Sequence, residues 1–88
     1  MKVKIDKSFE RDTDKITDKK LLLKVAACIE SVMQYKSVNE ISGLKKLKGS
    51  KNYYRIRFGD YRAGVFITGN EIIFERFLHR KDIYKFYP

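Results

Sequence analysis

Tyr53-Tyr54-Arg55-Ile56-Arg57-Phe58-Gly59-Asp60-Tyr61-Arg62-Ala63-Gly64-Val65-Phe66 (YYRIRFGDYRAGVF) sets a Gly-Asp pair between two runs rich in aromatic and β-branched residues. That is the signal for a two-residue hairpin turn of the primed type. A second signal, Thr68-Gly69-Asn70-Glu71, follows at once, so the segment is predicted to form a three-stranded antiparallel meander. Two-residue loops also fix a register, in which facing residue numbers sum to 119 across the first hairpin and 139 across the second. Arg57 then faces Arg62, Arg55 faces Gly64, Gly64 faces Glu75 and Arg62 faces Phe77.

Alternation sorts the side chains by face. Tyr54, Ile56, Phe58, Tyr61, Ala63, Val65, Ile67, Ile72, Phe74 and Leu78 fall on the face that must be covered. Arg55, Arg57, Arg62, Gly64, Phe66, Ile73, Glu75, Phe77 and His79 fall on the other. Two arginines opposed about 5–6 Å apart repel by roughly 1 kcal/mol in water and about 3 kcal/mol at an effective dielectric near 20, a defect in a purely structural sheet. One carboxylate, Glu75, cannot balance three guanidinium groups. The arrangement therefore implies an anionic ligand, for which planar guanidinium forks suit phosphate oxygens. Gly64 is expected to leave a hollow in the middle of this face where a phosphate or sugar could sit.

Working outward, Val3 and Ile5 alternate with charged residues as in a short strand. Ser8 offers an N-cap for a short helix holding Phe9 and Ile16. Asp18 or Thr17 can cap a longer helix whose stripe is Leu22, Val25, Ala26, Ile29, Val32 and Met33. The pattern loosens from Ser37 to Lys51, with Ile41, Leu44 and Leu47 as anchors and Gly43 and Gly49 as breaks. The prediction is one α+β domain over residues 1–88: a short N-terminal strand, a helical hairpin against the inner face, the meander in one twisted sheet, and a short C-terminal helix or turn.

The formal charge is +9, and it is uneven. Residues 1–44 carry nine Lys/Arg against seven Asp/Glu and residues 45–88 eleven against four, so the net is +2 in the first half and +7 in the second. A field of this kind favours a polyanionic partner, with nucleic acid first. Lys45, Lys46, Lys48 and Lys51 add to it. A lone Cys28 permits no internal disulfide and no cysteine-based zinc site, and its place between Val25 and Ile29 makes it a small buried hydrophobe. No apolar signal segment or membrane-spanning run is present, so a cytoplasmic protein without membrane attachment is expected.

Past the last strand comes LHRKDIYKFYP, residues 78–88, which puts the one histidine at the rim of the arginine face, followed by Arg80 and Tyr84. Cleavage of RNA by its own 2′-hydroxyl needs a base, an acid for the departing 5′-oxygen and positive charge on the transition state, with no metal or cofactor. Glu75 and His79 could serve as acid and base and Arg62 as charge stabiliser. Phe77 or Tyr84 could stack on an exposed base.

The order of short strand, two helices, LKKLKG, YYRIRFGDYRAGVF and HRKDIY resembles the RelE/ParE superfamily of type II toxin–antitoxin toxins, particularly its RelE-like messenger-RNA endonucleases. The resemblance covers essentially the whole chain. It implies a toxin that cleaves mRNA in the ribosomal A site and inhibits translation, is covered by a cognate antitoxin, and meets operator DNA only through the antitoxin complex. The family's basic positions before the hairpin correspond to Arg55 and Arg57, its "YR" arginine to Arg62, and its C-terminal "HR" and tyrosine to His79, Arg80 and Tyr84. Where relatives often carry a glycine before "HR", this chain carries Leu78. Two alternatives stand beside the nuclease: a ParE-like inhibitor that binds DNA gyrase without hydrolysis, and an inactive antitoxin-binding corepressor. The arginine face is expected to neutralise roughly 4–6 RNA phosphates, so RNA affinity should fall steeply between low and physiological salt. A binding constant flat over that range, measured by fluorescence anisotropy, would contradict this.

Overall fold

The computed structural model describes residues 1–49 and 51–88, so Ser50 of the connection lies outside the described residues. In chain order the elements are β1 (Lys2–Ile5), α1 (Lys7–Asp14), α2 (Lys19–Gln34), a 3-10 turn (Val38–Glu40), β2 (Leu44–Lys46), β3 (Tyr53–Phe58), β4 (Tyr61–Thr68), β5 (Glu71–His79) and α3 (Ile83–Phe86). The strands form one sheet in the order β1-β5-β4-β3-β2. β1 runs parallel to β5 and the other pairings are antiparallel. The α+β architecture read from the sequence is the one adopted. It gains β2, a three-residue strand inside the loosened connection, too short to show a period.

Both hairpins turn as their residues dictate. Phe58 pairs with Tyr61 and Thr68 with Glu71, leaving two-residue loops. Gly59 and Gly69 take positive φ, 58° and 56°, and among the described residues only glycines do so. Positive φ at the first loop position alone is the φ signature of a type II′ turn, which matches the right-handed twist of the strands it joins.

α2 is capped by Asp18, whose carboxylate accepts from the Leu21 N–H at 3.1 Å. Its buried line is Val25 and Val32 flanked by half-buried Leu21, Cys28 and Ile29, whereas Ala26 and Met33 of the expected stripe are exposed. The helix thus lies on the sheet along a strip narrower than its apolar sequence. Burial pushes the Cys28 thiol up from its ordinary pKa, in keeping with a packing role. The main core joins these residues to Phe9, Ile41, Ile56, Phe58, Ala63, Val65, Ile67, Ile72, Phe74 and Phe77.

The register of β4 against β5 departs from expectation at one point. The sum of 139 holds from Thr68 and Glu71 to Val65 and Phe74, then becomes 140 from Gly64 and Arg76 to Tyr61 and His79. The extra residue is Glu75, at a β-bulge. A one-residue slip exchanges the faces of everything beyond it. Phe77, expected on the arginine face, is 2% exposed in the core, and Leu78, expected in the core, lies opposite Arg62 in a second cluster. Strict alternation would have expelled Phe77 and driven Arg76 inward. Burying a phenylalanine contributes about 1.5–3 kcal/mol, and an unpaired buried guanidinium costs more than that.

α1 repairs the backbone that the bulge disrupts. The buried Asp12 carboxylate accepts from Arg76 Nε at 2.8 Å, from Arg76 Nη2 at 3.3 Å and from the Phe77 backbone N–H at 2.9 Å. The hydrogen bond to Asp12 is the main cause raising the Arg76 pKa, against burial. Ser8 is not the N-cap expected of it. Asp6 stands at that position without a side-chain bond, and the Ser8 hydroxyl instead donates to the Glu75 carbonyl at 2.6 Å. Removing a nearly buried carboxylate that satisfies three donors should destabilise the fold, so Asp12→Ala is expected to lose about 2–4 kcal/mol. Urea denaturation checks this. Asp12→Ala/Arg76→Ala should lose less than the two single losses added, since the orphaned partner is gone.

Candidate functional site

Two rows of side chains cross the outer face, the one away from α1 and α2. Lys45, Arg55 and Gly64 stand side by side on β2, β3 and β4, and Arg57, Arg62 and Leu78 stand side by side on β3, β4 and β5. The Arg57–Arg62 pairing read from the turn is therefore present. Arg62 Nη1 donates to the carbonyls of Gly59 at 2.6 Å and Tyr61 at 2.9 Å. Its Nε is buried and has no hydrogen-bond partner among the described residues. Burial holds this guanidinium below its ordinary pKa, and Arg55, Arg57 and Arg80 push the same way, while Tyr84 opposes them. Arg62 is the centre of a cationic cluster.

Arg55 is tethered by neutral oxygens. Arg55 donates from Nη1 to the Gly43 carbonyl at 2.9 Å and from Nε to the Tyr84 hydroxyl at 3.2 Å. Arg57 is exposed. The Arg80 backbone N–H donates to the Asp60 carbonyl at 2.7 Å, while its guanidinium approaches the Asp60 carboxylate only to 3.6 Å, with both side chains mostly in solvent. An ion pair of that kind is worth little and leaves Arg80 available. α3 presents Tyr84, 62% exposed, to this cluster. Among the described residues no group of three His, Cys, Asp or Glu side chains could hold a metal ion, and no helix is long and apolar enough to cross a membrane.

The bulge redistributes the other expected site residues. His79 lies opposite Tyr61, edge-on to its ring at 5.5 Å, and its Nδ1 accepts from the Lys81 N–H at 3.2 Å. That is the face of the helices, so His79 does not share the arginine face. Phe77 stacks on Tyr61 inside the core and is closed to a nucleobase. Lys45 shares a row with Arg55, Lys46 pairs with Tyr54 and so falls on the helix side of the sheet, away from the arginines it was expected to join, and Lys48 and Lys51 are exposed in the link to β3.

The hollow expected at Gly64 is filled. A Cβ built there would lie 2.7–2.8 Å from three ring carbons of Tyr87. The Tyr87 hydroxyl donates to Glu75 Oε1 at 2.7 Å, so the carboxylate expected to move protons is already engaged. Around this contact Leu47, Ile83 and Tyr87, with Tyr53 and Leu78, form a second apolar cluster beneath α3. Sequence reasoning missed Tyr87, Asp12 and Arg76. The last two left a trace in the run Phe74-Glu75-Arg76-Phe77, where alternation fails, and in Asp12 lying at helical spacing between Phe9 and Ile16. Tyr87 left none beyond being aromatic.

Burial, and then the bond to Glu75, push the Tyr87 hydroxyl well above the ordinary tyrosine value of 10.0. The folded state therefore keeps this proton after the unfolded chain has released it, and the stability it contributes is complete below pH about 10 and falls above it by up to about 1.4 kcal/mol per pH unit. Wild type should exceed Tyr87→Phe in stability at pH 7, and urea midpoints should show that margin shrinking by pH 11.

The match to known proteins is extensive. A sequence model described as the ParE toxin of type II toxin–antitoxin system, parDE, matches residues 3–84. The chain is 40% identical to Toxin RelE3 of Methanocaldococcus jannaschii, with the whole of both chains covered. It superposes with a TM-score of 0.82 on a chain of the RelB–RelE antitoxin–toxin complex from Methanococcus jannaschii, at 38% identity over 97% of this chain and 99% of that one. The YoeB dimer from Staphylococcus aureus, TM-score 0.71 at 19% identity over 90% of this chain and 95% of that one, shares the fold.

Proposed function

The chain belongs to the RelE/ParE superfamily of toxins of type II toxin–antitoxin systems, and from that premise we propose that it is an endoribonuclease that cleaves mRNA in the ribosomal A site and so inhibits translation. The observation that carries this reading is the gathering of Arg55, Arg57 and Arg80 around the half-buried, incompletely bonded Arg62. A phosphodiester seated there meets preorganised donors in a partly desolvated setting, where they stabilise developing negative charge most strongly.

In the proposed reaction the 2′-oxygen bonds to phosphorus, its proton passes to water, and the bond from phosphorus to the 5′-oxygen breaks. Arg62 and Arg55 hold the non-bridging oxygens and stabilise the added charge of the pentacoordinate transition state. Arg57 and Arg80 hold the neighbouring backbone, together with Lys45. The Tyr84 oxygen accepts from Arg55, so its own proton is free for the departing 5′-oxygen, and the exposed ring can pack on a base. Glu75 and His79 take no part in proton transfer on this reading. A cognate antitoxin with an acidic or apolar segment would cover the cluster, as suits a chain similar to the toxin of a RelB–RelE complex. Operator DNA would be met only through that complex, and the site of action is the cytoplasm.

Mapping of cut ends on programmed ribosomes tests the proposal. Arg62→Ala should slow cleavage by about 10²–10³ and Tyr84→Phe by about 10². His79→Ala should stay within about threefold of wild type, because no proton transfer depends on it. The ParE description of the matching sequence model favours a second reading, inhibition of DNA gyrase. No RNA cut under any condition, together with loss of gyrase supercoiling, would establish that reading instead.

A further inference from the structure

α3 has four residues, Ile83–Phe86, and a single helical turn has almost no stability of its own. Its place on the sheet therefore depends on what flanks it. Ile83 is fully buried against Leu47 and Leu78. At the other end the Tyr87 N–H closes the turn on the Ile83 carbonyl at 2.9 Å, and the Tyr87 side chain is 7% exposed. Its ring lies on the bare backbone of Gly64 and meets the Tyr53 ring edge-on at 5.6 Å. Tyr84 sits between these two anchors and reaches Arg55 with its hydroxyl.

The same ring has an electrostatic position. Arg55 and the bulge that contains Glu75 flank Gly64 from opposite sides. With no side chain on Gly64, the ring of Tyr87 occupies the space between them, and its hydroxyl takes up Glu75 Oε1. Glu75 is the outer face's carboxylate closest in register to the arginines, and its Oε1 is held by the Tyr87 hydroxyl on the far side of Gly64 from Arg55.

We infer that Tyr87 is a positioning residue for the cleavage site: seated on Gly64 and bonded to Glu75, it fixes the turn that carries Tyr84 and keeps the Glu75 carboxylate off the guanidinium cluster. The inference rests on the nuclease reading for its kinetic consequences, but not for its structural one. The two halves separate by substitution. Tyr87→Phe keeps the ring and frees Glu75, so the KM for RNA should rise about threefold to tenfold with kcat retained. Tyr87→Phe/Glu75→Gln should return KM to near the wild-type value. Tyr87→Ala removes the ring and should lower kcat about tenfold to a hundredfold through misplacement of Tyr84. Tyr84→Phe/Tyr87→Ala should then be scarcely slower than Tyr84→Phe, because both act through one group. Gly64→Ala should resemble Tyr87→Ala, since its methyl takes the space of the ring.

Hydrogen exchange at the amides of Lys85, Phe86 and Tyr87, which bond to Asp82 and Ile83, gives a readout independent of activity. Tyr87→Ala should lose protection there while β4 and β5 keep theirs. Kinetic effects of Tyr84→Phe and Tyr87→Ala that multiply, or protection in α3 that survives Tyr87→Ala, would overturn the positioning role. A KM that Glu75→Gln fails to restore would overturn the shielding role. If the wild-type protein cuts no RNA, the nuclease reading fails, and the exchange measurement alone decides whether Tyr87 anchors α3.

Discussion

One carboxylate, Asp12, holds the arrangement on which the rest of this molecule depends. It receives both the Arg76 guanidinium and the Phe77 backbone N–H, and so accommodates an extra residue in β5 without leaving a buried donor unsatisfied. Past that residue the strand presents the opposite faces. Phe77 enters the core, Leu78 turns outward to support α3, and His79 moves to the helix side. The composition of the outer face follows from a contact made by α1, 65 residues earlier in the chain than Phe77.

The outer face then combines features that a sheet selected only for stability would avoid. Arg57 and Arg62 stand directly opposed, with Arg55 and Arg80 adding to the same field, and the Glu75 carboxylate accepts a hydrogen bond from the Tyr87 hydroxyl. The tethers that orient the guanidinium groups are mainly carbonyl and phenol oxygens, which fix direction without cancelling charge. Direction without neutralisation is what stabilising a more highly charged transition state requires.

Much of this was legible in the sequence, because it rests on local rules. Gly59 and Gly69 announced both turns, and the turns fixed the pairing of Arg57 with Arg62 and of Arg55 with Gly64. The core face was correct from Tyr54 through Phe74, since one strip of alternation served all three strands. What failed was non-local. The bulge answers a side chain on another element, so counting from the turn placed Phe77, Leu78 and His79 on the wrong faces. Gly64 was rightly identified as a gap, but the group that fills it arrives from the end of the chain, where a four-residue turn has no period to read. A polar pair between two phenylalanines three apart was the sign that alternation could not continue.

On the proposed reading phosphate is received at Arg62 on the outer face, and His79 stands apart from it. NMR titration with a short RNA blocked against cleavage by 2′-O-methylation tests this directly, by following the Arg62 Nε–H signal and the His79 ring resonances together. The Arg62 signal should shift in step with occupancy while the His79 ring stays where it is. A His79 ring that moves while Arg62 Nε–H does not would contradict that reading.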